Sequence, residues 1–470
     1  MLHEFPNARS VLLLVLASAT PACISLDPAT DLDRAKAIAT PRLDARVDLS
    51  DALSRQPEAI PSCWDGVAPL ETQIAVMAAF QRDVAIRIAM EEVALSRAAL
   101  AQADRAPNPV IDVGVGIAID GMSGAPALVQ VLQQLTWLWT RPHMIDAANA
   151  QRRQAILAAA EQAVILSAKV RTAHAVALEA QRRVELDTHY AETTQATLDL
   201  VQRIAEVGEN SQIDVDRAML EHAEAHAALK ASTRTLTKAK LGLLGSMGMP
   251  EGATDWTLSG SFDTKHQVPE ETELIERSQT VRLDVAMASE EIQAALANSK
   301  LADTKRFPNV GVGLGWRESF SGRRGLVPGA SISIPIFDDG SPAIASADAK
   351  VRIAILNLLR VQRAAIEETR MNLEAWRQSQ QQASLYQETV MQPAIEAQEL
   401  SSKAYGEGVI DLTVLLLAQR NRIEAERRLL AFQAAATTNL VALERSVGGS
   451  FDIPIEHPDL GTEDDEEKTS

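Results

Sequence analysis

The sequence has few aromatic residues, only two cysteines and a shortage of positive charge. Aromatics make up 4% of its 470 residues, which is less than a compact globular core usually contains. Cys23 and Cys63 are too few for a disulfide framework or a zinc cluster. The formal net charge of −18 argues against a nucleic-acid partner, because phosphate binding requires a basic face.

Long apolar runs are also missing, apart from one short run near the N-terminus. The mostly apolar segment Val11–Ala19 follows Arg9 and precedes Thr20-Pro21-Ala22-Cys23, which is the pattern of a signal peptide and is too short to span a membrane. A small residue before Cys23 resembles the processing sequence of lipoproteins. We therefore predict a signal peptide at 1–22 and lipidation of Cys23, with ordinary cleavage nearby as the alternative. Any membrane-spanning part of this chain would have to be a closed β-barrel.

A helix-forming composition is what the sequence has in abundance. Ala, Leu, Gln, Arg and Glu dominate. The segments that lack both glycine and proline are 71–106, 143–207, 211–241, 270–307, 343–392 and 409–447. We predict three long helical stretches in each half of the chain. A helix of about 65 residues would be about 100 Å long, which is too long for a globular domain and suits a stalk, a filament or the wall of a tunnel.

The two halves of the chain have the features of a duplicated unit. At an offset of 200 positions, Gly208 corresponds to Gly408 and Gly248 corresponds to Gly448. Further pairs at this offset are Ala218 with Ala418, Leu229 with Leu429, and Leu243 with Leu443. Pro107-Asn108 corresponds to Pro308-Asn309 at an offset of 201. A shared offset across markers of different types indicates an internal repeat.

Between the first and second helical stretches of each half, the apolar period changes from 3.6 residues to 2, which indicates β-strands. We predict strands at about 108–119 and 127–136 in the first half, and at about 308–318 and 327–337 in the second. A tilted strand of about 10 residues crosses a bilayer. Five aromatics lie near the strand ends, as in an interfacial belt: Trp137, Trp139, Trp316, Phe320 and Phe337. Four strands cannot close a barrel, so a membrane location implies several copies, and three copies would give 12 strands.

Several short motifs carry a resemblance to a known family. They are the Pro-Asn pair before each first strand, Ser333-Ile-Pro-Ile-Phe-Asp338, Tyr405-Gly-Glu-Gly-Val-Ile-Asp-Leu412 and Leu417-Ala-Gln-Arg420. Arg282-Leu283-Asp284 is similar to the Arg-Pro-Asp sequence that opens the second repeat in that family, with leucine in place of proline. On these motifs, about residues 65–450 resemble the TolC-like outer-membrane efflux proteins, a family that includes lipidated members.

The resemblance implies a fold class, a function and a set of partners. The expected fold is mainly α with a small β part, built from two tandem repeats of long coiled-coil helices that each carry a β-hairpin. A homotrimer would then form a 12-stranded transmembrane β-barrel and a periplasmic α-helical tunnel. The expected function is the outer-membrane channel of a tripartite efflux system in a Gram-negative bacterium. The expected partners are a periplasmic adapter protein, an inner-membrane pump and outer-membrane lipid, and no cofactor is expected.

The domain boundaries are expected to follow the repeats. After the signal peptide, they are an N-terminal extension at 23–65, a first repeat at 66–250, a linker at 251–269, a second repeat at 270–450 and a tail at 451–470. The tail contains the acidic run Glu463–Glu467, which is typical of a flexible, solvated end.

The resemblance also implies two groups of functional residues. The turns between the long helices would form periplasmic tips that dock to the adapter, and glycine suits such turns because it tolerates positive φ. The predicted tip residues are Val207, Gly208 and Glu209 in the first repeat, and Gly406, Glu407, Gly408 and Val409 in the second. The predicted constriction of the aperture consists of Asp214, Asp411, Val414 and Leu417.

The predicted constriction departs from the pattern of the better-known family members. Val414 and Leu417 stand where those proteins carry rings of carboxylates, and Ile410 stands where they carry an arginine. An acidic ring and an apolar constriction are therefore both considered.

Other candidate sites in the sequence are weak. His222 and His226 are four residues apart on a predicted helix and could share a metal ion, but no third ligand is evident and a solvated helix face is the preferred interpretation. No nucleophile–base pair stands out, so we do not expect an enzyme. The main alternative function is a periplasmic, lipid-anchored coiled-coil adapter or scaffold. Such adapters usually carry one helical hairpin in a β-rich chain, whereas this sequence predicts two hairpins and little sheet.

Overall fold

The computed structural model describes residues 25–43, 64–117, 125–206, 211–262, 266–333 and 336–451. The predictions for Cys23, Val207, Gly208 and Glu209 lie outside the described residues, as do those for the signal peptide and the acidic tail. The chain divides into two compact units. The first consists of Met1–Asp31, Glu91–Ile156 and Met287–Leu359, and the second consists of Leu32–Met90, Leu157–Ala286 and Arg360–Ser470.

Helices make up most of the described chain. In chain order they are α1 (Ala29–Ala39), α2 (Thr72–Arg82), α3 (Val84–Asp104), α4 (Trp137–Glu206), α5 (Gln212–Ser246), α6 (Glu271–Thr280), α7 (Leu283–Asp303), α8 (Ser341–Leu385), α9 (Met391–Gly406) and α10 (Leu412–Ser446). The longest, α4, contains 70 residues, which corresponds to a length of about 105 Å. Among the described residues, none of these helices is both long and apolar enough to cross a membrane.

The first predicted helical stretch of each half is two helices rather than one. Asp83 separates α2 from α3, because its carboxylate Oδ1 accepts hydrogen bonds from the backbone N–H groups of Ala85 and Ile86, at 2.8 and 3.2 Å. A side chain that caps the next helix in this way favours a new helix start. In the second half, α6 ends at Thr280 and α7 begins at Leu283. The prediction of continuous helices was wrong here because it considered only glycine and proline as breaks.

Each repeat ends on a glycine that contacts the break at its own beginning. Gly248 has φ +70° and Gly448 has φ +94°. A Cβ atom at Gly248 would lie 3.0 Å from the carbonyl oxygen of Arg82, and one at Gly448 would lie 3.0 Å from the carbonyl carbon of Val281. Both glycines therefore combine a left-handed conformation with a close backbone approach. The equivalence of these two contacts matches the 200-residue offset in the sequence.

The first unit contains a four-stranded antiparallel sheet in the order β1 (Val110–Val115), β2 (Ala127–Gln134), β3 (Val310–Glu318) and β4 (Arg324–Ile332). Because paired residues point to the same side of an antiparallel sheet, the register gathers apolar side chains on one face. That mostly apolar face contains Ile111, Val113, Val115, Ala127, Val129, Val131, Val310, Val312, Leu314, Trp316, Leu326, Pro328, Ala330 and Ile332, together with the polar Gln133, Glu318 and Arg324. The opposite face is mixed and carries Asp112, Gln130, Gln134, Arg317, Ser331, the strand glycines and the apolar Val110, Leu128, Leu132 and Val327.

The fourth strand lies earlier in the chain than the predicted range of about 327–337. The N–H of Ser319 donates to the carbonyl of Arg323 at 2.9 Å, so the turn is short and Arg324 pairs directly with Glu318. The strand ends at Ile332, and Phe337 is fully exposed outside the sheet. The sequence pattern alone placed the turn too late because Gly325 was counted as part of the loop.

Within the first unit, the segment 25–31 is held by a buried carboxylate. Asp31 is fully buried, and its two oxygens accept hydrogen bonds from Arg152 Nη1 at 2.9 Å and from Arg97 Nη1 at 3.3 Å. The Arg97 Nε–H also donates to the carbonyl of Ser25 at 2.9 Å. Because both guanidinium groups are themselves nearly buried, this cluster fixes the start of the described chain onto α3 and α4.

The second unit includes a packed segment in the range predicted to be a linker. Trp256 stacks edge to face on Trp64, with ring centroids 5.1 Å apart, and Leu258 forms a β-bridge with Leu70. The buried imidazole of His174 lies 2.9 Å from the carbonyl oxygen of Leu70. Burial lowers the pKa of His174, so this histidine is a neutral structural contact rather than a charged group.

Candidate functional site

The turn between α9 and α10 is one of the two predicted tips. Gly408 adopts φ +72°, its N–H donates to the carbonyl of Tyr405 at 3.0 Å, and the N–H of Val409 donates to the carbonyl of Ala404 at 2.9 Å. These two bonds form a Schellman motif, which ends a helix on a left-handed glycine. Gly406, by contrast, is the last residue of α9. Val409 follows the turn with its side chain 71% exposed.

The first turn of α5 is capped by the side chain of Ser211. The Ser211 hydroxyl accepts from the N–H of Asp214 at 3.4 Å and donates to the Asp214 carboxylate at 2.9 Å. A carboxylate in this position is favoured by the positive end of the helix dipole. Asp214 is therefore held by its own helix. Its role in the predicted constriction stays a prediction.

Arg217 supplies the cation that the sequence did not provide at Ile410. Its guanidinium Nη1 lies 3.7 Å from the Asp214 carboxylate and donates to the Thr413 hydroxyl at 3.2 Å. Ile410 instead packs against an apolar cluster. A polar contact therefore links the start of α5 in the first repeat to the start of α10 in the second.

An apolar cluster next to the turn between α9 and α10 joins helices of the two repeats. Its buried members are Leu198, Val201, Ala218, Tyr405, Leu412, Leu415 and Leu416. On α10, the positions between these core leucines point the other way, so Val414 and Leu417 are 47% and 56% exposed. Asp411 precedes them as the exposed N-cap residue of α10. The two predicted constriction residues on α10 thus lie on one exposed apolar strip.

A buried polar network joins the repeats further along the same helices. Glu221 of α5 is 3% exposed, and its carboxylate accepts from the Tyr190 hydroxyl and from the Arg420 Nε–H, the latter at 2.6 Å. Arg420 also donates to Glu224 at 3.0 Å. Burial, together with the bond to Glu221, raises the pKa of the Tyr190 phenol. Tyr190 therefore stays protonated and serves as the donor to Glu221.

A second buried ion pair connects α4 to α10. Arg427 donates from Nε and Nη2 to Asp187 Oδ1 at 2.9 and 2.6 Å, and Asp187 is buried. The Gln419 side-chain amide donates to the Thr197 hydroxyl at 3.0 Å. Sequence reasoning missed these contacts because the partners are more than 200 residues apart. The signal available for the ion pair was a charged residue, Asp187 or Arg427, at a core-facing position of each helix.

The two histidines singled out in the sequence contact each other without a third ligand. The rings of His222 and His226 meet edge to face with centroids 4.9 Å apart, and the Thr194 hydroxyl lies 3.3 Å from His222 Nδ1. Within the described parts of the chain, no group of three or more histidine, cysteine, aspartate or glutamate residues is placed to hold a metal ion.

The sequence is similar to a known protein family and to a curated relative. Residues 274–449 match the model of the family described as outer membrane efflux protein. The cobalt-zinc-cadmium resistance protein CzcC of Cupriavidus metallidurans is 24% identical over 389 residues, covering 80% of this chain and 91% of the relative.

Solved structures of outer-membrane proteins share the fold. The channel OprN superposes with a TM-score of 0.70 at 20% identity, covering 88% of this chain and 95% of OprN. VceC of Vibrio cholerae gives a TM-score of 0.69 at 16% identity, covering 81% of this chain and 97% of VceC. CusC gives 0.69 at 15% identity, covering 87% of this chain and 99% of CusC.

The resemblance to the TolC-like outer-membrane efflux proteins is confirmed. The predicted fold class is confirmed with it, as is the predicted location in the outer membrane of a Gram-negative cell. The general function is that of an outer-membrane efflux channel. This family consists of channels and not of enzymes.

Proposed function

We propose that this chain forms a homotrimeric channel that carries cargo from a periplasmic adapter and an inner-membrane pump across the outer membrane. The observation that carries the proposal is the sheet of the first unit. Among the described strands, β1 pairs only with β2 and β4 pairs only with β3, while one face of the sheet is mostly apolar between its charged end at Glu318 and Arg324 and the polar Gln133. Two open edges and an apolar face are compatible with lipid only if neighbouring copies close the sheet into a barrel.

Exposed apolar side chains on the helices of the first unit also support assembly. Leu95 of α3 is 70% exposed, and Ile353 and Leu356 of α8 are 57% and 63% exposed. Apolar surface of this kind is usually covered by a partner, and a second copy would provide the cover.

Imaging of single particles in detergent tests the assembly. We expect three-fold symmetric particles in which a detergent belt surrounds the end that contains the sheet. Monomers that stay soluble without detergent would contradict the channel and favour the periplasmic, lipid-anchored adapter or scaffold.

For the closed state of the channel, we infer an apolar constriction at Val414 and Leu417. Both side chains lie on the exposed strip of α10, with Asp411 one turn before Val414. An apolar ring closes a pore by excluding water, without binding cations. Replacing both residues with asparagine is expected to raise the conductance of channels in planar bilayers several-fold. The matched control is Leu220→Asn on α5, an exposed leucine outside the predicted constriction, which should leave conductance unchanged.

For docking to the adapter, we infer a contact at the turn Gly406–Val409. A Cβ atom at Gly406 would meet no heavy atom within 4 Å, so Gly406→Trp adds bulk without disturbing the fold. Trimers should persist while export is lost. Lys238→Trp, at an exposed position of α5 away from the tips, serves as the control, and normal export by Gly406→Trp would contradict docking at this turn.

The first cargo to test is suggested by the name of the cobalt-zinc-cadmium resistance relative. We infer that divalent transition-metal cations are exported. A strain that lacks this gene should become sensitive to zinc, cobalt and cadmium salts and regain resistance from a plasmid copy. Unchanged metal tolerance together with raised sensitivity to organic drugs would contradict metal export and indicate that the cargo is organic compounds.

A further inference from the structure

The apolar face of the sheet carries charge at one end only. On this face, the described charged residues are Glu318 and Arg324, which pair with each other at the last position before the β3–β4 turn. The other charged residues in the strands, Asp112 and Arg317, lie on the opposite face. The charge on the apolar face is thus confined to the edge at the turn, away from the helices.

The charged end of this face combines an arginine with an aromatic ring. The guanidinium carbon of Arg324 lies 6.0 Å from the centroid of the Trp316 ring. Its Nε lies 3.4 Å from Glu318 Oε2, and its side chain remains 66% exposed. A guanidinium has five N–H donors, so the contact with Glu318 leaves most of them available to an anion from outside.

A second arginine adjoins the first in the turn. Arg323 is exposed, and its backbone is held by Ser319, whose N–H donates to the Arg323 carbonyl at 2.9 Å and whose hydroxyl accepts from the Arg323 N–H at 3.2 Å. Phe320, 38% exposed, lies in the same turn. The turn therefore presents two neighbouring cationic side chains from a closed backbone loop.

The local charge is opposite to that of the whole protein. Residues 316–324 contain three arginines and one glutamate, a net charge of +2, whereas the full chain carries −18. A cationic spot that borders an apolar, aromatic-edged surface matches the boundary between acyl chains and anionic headgroups.

We propose that Arg323 and Arg324 bind the phosphate groups of lipid headgroups in the outer leaflet of the outer membrane. This inference rests on the proposed function, which places the apolar face of the sheet against lipid. Trp316 and Phe320 then lie at the level of the interface, and the two guanidinium groups reach phosphates with paired N–H donors. The partner is a phosphorylated lipid held by its headgroup.

Native mass spectrometry of the full chain in detergent, titrated with bisphosphorylated lipid A, tests the proposal. The variant Arg323→Gln/Arg324→Gln is expected to bind this lipid about thirtyfold more weakly, since each basic residue near an anionic surface contributes roughly fivefold. Arg317→Gln is the matched control, because Arg317 belongs to the same hairpin and lies on the opposite face. Equal weakening by the control, or unchanged binding by the double variant, overturns the proposal.

Two further comparisons define the ligand. Arg323→Lys/Arg324→Lys keeps both charges and should bind the lipid more tightly than the glutamine variant but less tightly than the original chain, because an ammonium group lacks the paired N–H donors of a guanidinium. Dephosphorylated lipid A should bind about as weakly as it does to the glutamine variant, and inorganic phosphate at the same concentration should not compete. Tight binding of the dephosphorylated lipid overturns the proposal, as does competition by inorganic phosphate. If the chain forms detergent-embedded trimers but Arg323→Gln/Arg324→Gln binds lipid A as the original chain does, only this inference is overturned. If no such trimers form, the proposed function is overturned as well.

Discussion

The two repeats contain equivalent elements but differ in how regular their longest helix is. In the first repeat, α4 runs through 70 residues, with its only internal proline, Pro142, near its beginning. In the second repeat, the corresponding stretch is divided into α8, a π-helical turn at Tyr386–Val390, and α9. The N–H of Met391 there donates to the carbonyl of Tyr386, five residues earlier.

Pro393 provides a physical reason for this difference. Proline lacks an N–H, and its ring collides with the carbonyl four residues before it, which here belongs to Thr389. A widened turn directly before Pro393 relieves that collision. The two copies thus share the hairpin, but the second has a local irregularity in the helix that leads to the turn between α9 and α10.

The largest expected effect concerns a contact that the first repeat makes, through Arg97 and Arg152, with Asp31 of the N-terminal extension. Asp31→Ala leaves the buried guanidinium groups of Arg97 and Arg152 without their shared carboxylate, which should lower the free energy of unfolding by about 3–5 kcal/mol. Denaturant titration in detergent measures this change. Asp33→Ala is the control, because the Asp33 side chain is 73% exposed and its loss should cost less than about 0.5 kcal/mol.

The glycines at the repeat ends test whether the two copies are energetically equivalent. Gly248→Ala and Gly448→Ala should each cost about 1–3 kcal/mol, because a Cβ there meets both a left-handed backbone and a close backbone neighbour. Thermal unfolding of the two variants measures the losses side by side. Gly242→Ala, in the C-terminal part of α5 with open space around its Cβ, should instead stabilise by up to about 1 kcal/mol. If the two variants lost very different amounts of stability, the two glycines would not be energetically equivalent.

A partly buried ionisable group of the first repeat, which has no counterpart in the second, gives a dependence on pH. Burial, reinforced by Asp284 and opposed by Arg282 and Arg445, raises the pKa of Glu161 to about 7, and the position 200 residues later is Val361. A raised pKa in the folded state means that the folded chain binds the proton more tightly than the unfolded chain does. The stability from this group is therefore complete below about pH 4.5 and is lost as pH rises through about 7.

The corresponding experiment compares the original chain with Glu161→Gln. The glutamine variant should have nearly the same stability at pH 5 and should be more stable by about 1–2 kcal/mol at pH 8, since an amide needs no ionisation. Thermal unfolding at both pH values measures the difference. Glu185→Gln, at an exposed position of the same helix, is the control, and a pH-independent gain in Glu161→Gln would argue against the raised pKa.

The smallest expected effect concerns the irregular helix of the second repeat. Pro393→Ala restores a backbone N–H and should make this stretch a continuous α-helix, stabilising it by about 1 kcal/mol. Amide hydrogen exchange at Tyr386–Val390 should slow in the variant. Unchanged exchange would mean that the surrounding packing, rather than the proline, maintains the π-helical turn.

Much of the fold could be predicted because its signals are local. The long helices follow from stretches without glycine and proline, and the strands follow from apolar alternation at positions such as Val113, Val129 and Leu314. The matching offset of Gly248 and Gly448 was visible before any coordinates. The break at Asp83 was not, since it depends on a carboxylate that bonds to backbone groups two and three residues later.

The candidate site could be predicted only in outline. The turn around Gly408 was expected, because a helix reversal favours a residue that tolerates positive φ. The contact of Arg217 with Thr413, the pairing of Asp187 with Arg427 and the shared carboxylate of Glu221 were not expected. Each joins residues that are about 30 to 240 positions apart, and periodicity in one segment carries no information about its distant partner.

The sequence by itself determined the element types, the duplication and the alternation that gives the sheet two unlike faces, because these depend on residues within a few positions of one another. Only the tertiary structure decided the strand register, which places Arg324 beside Trp316 and Glu318 at one end of the apolar face. It also decided which charges are buried in pairs, such as Asp31 with two arginines. Such choices depend on the packing of distant segments, where the cost of an unpaired buried charge selects one arrangement among many.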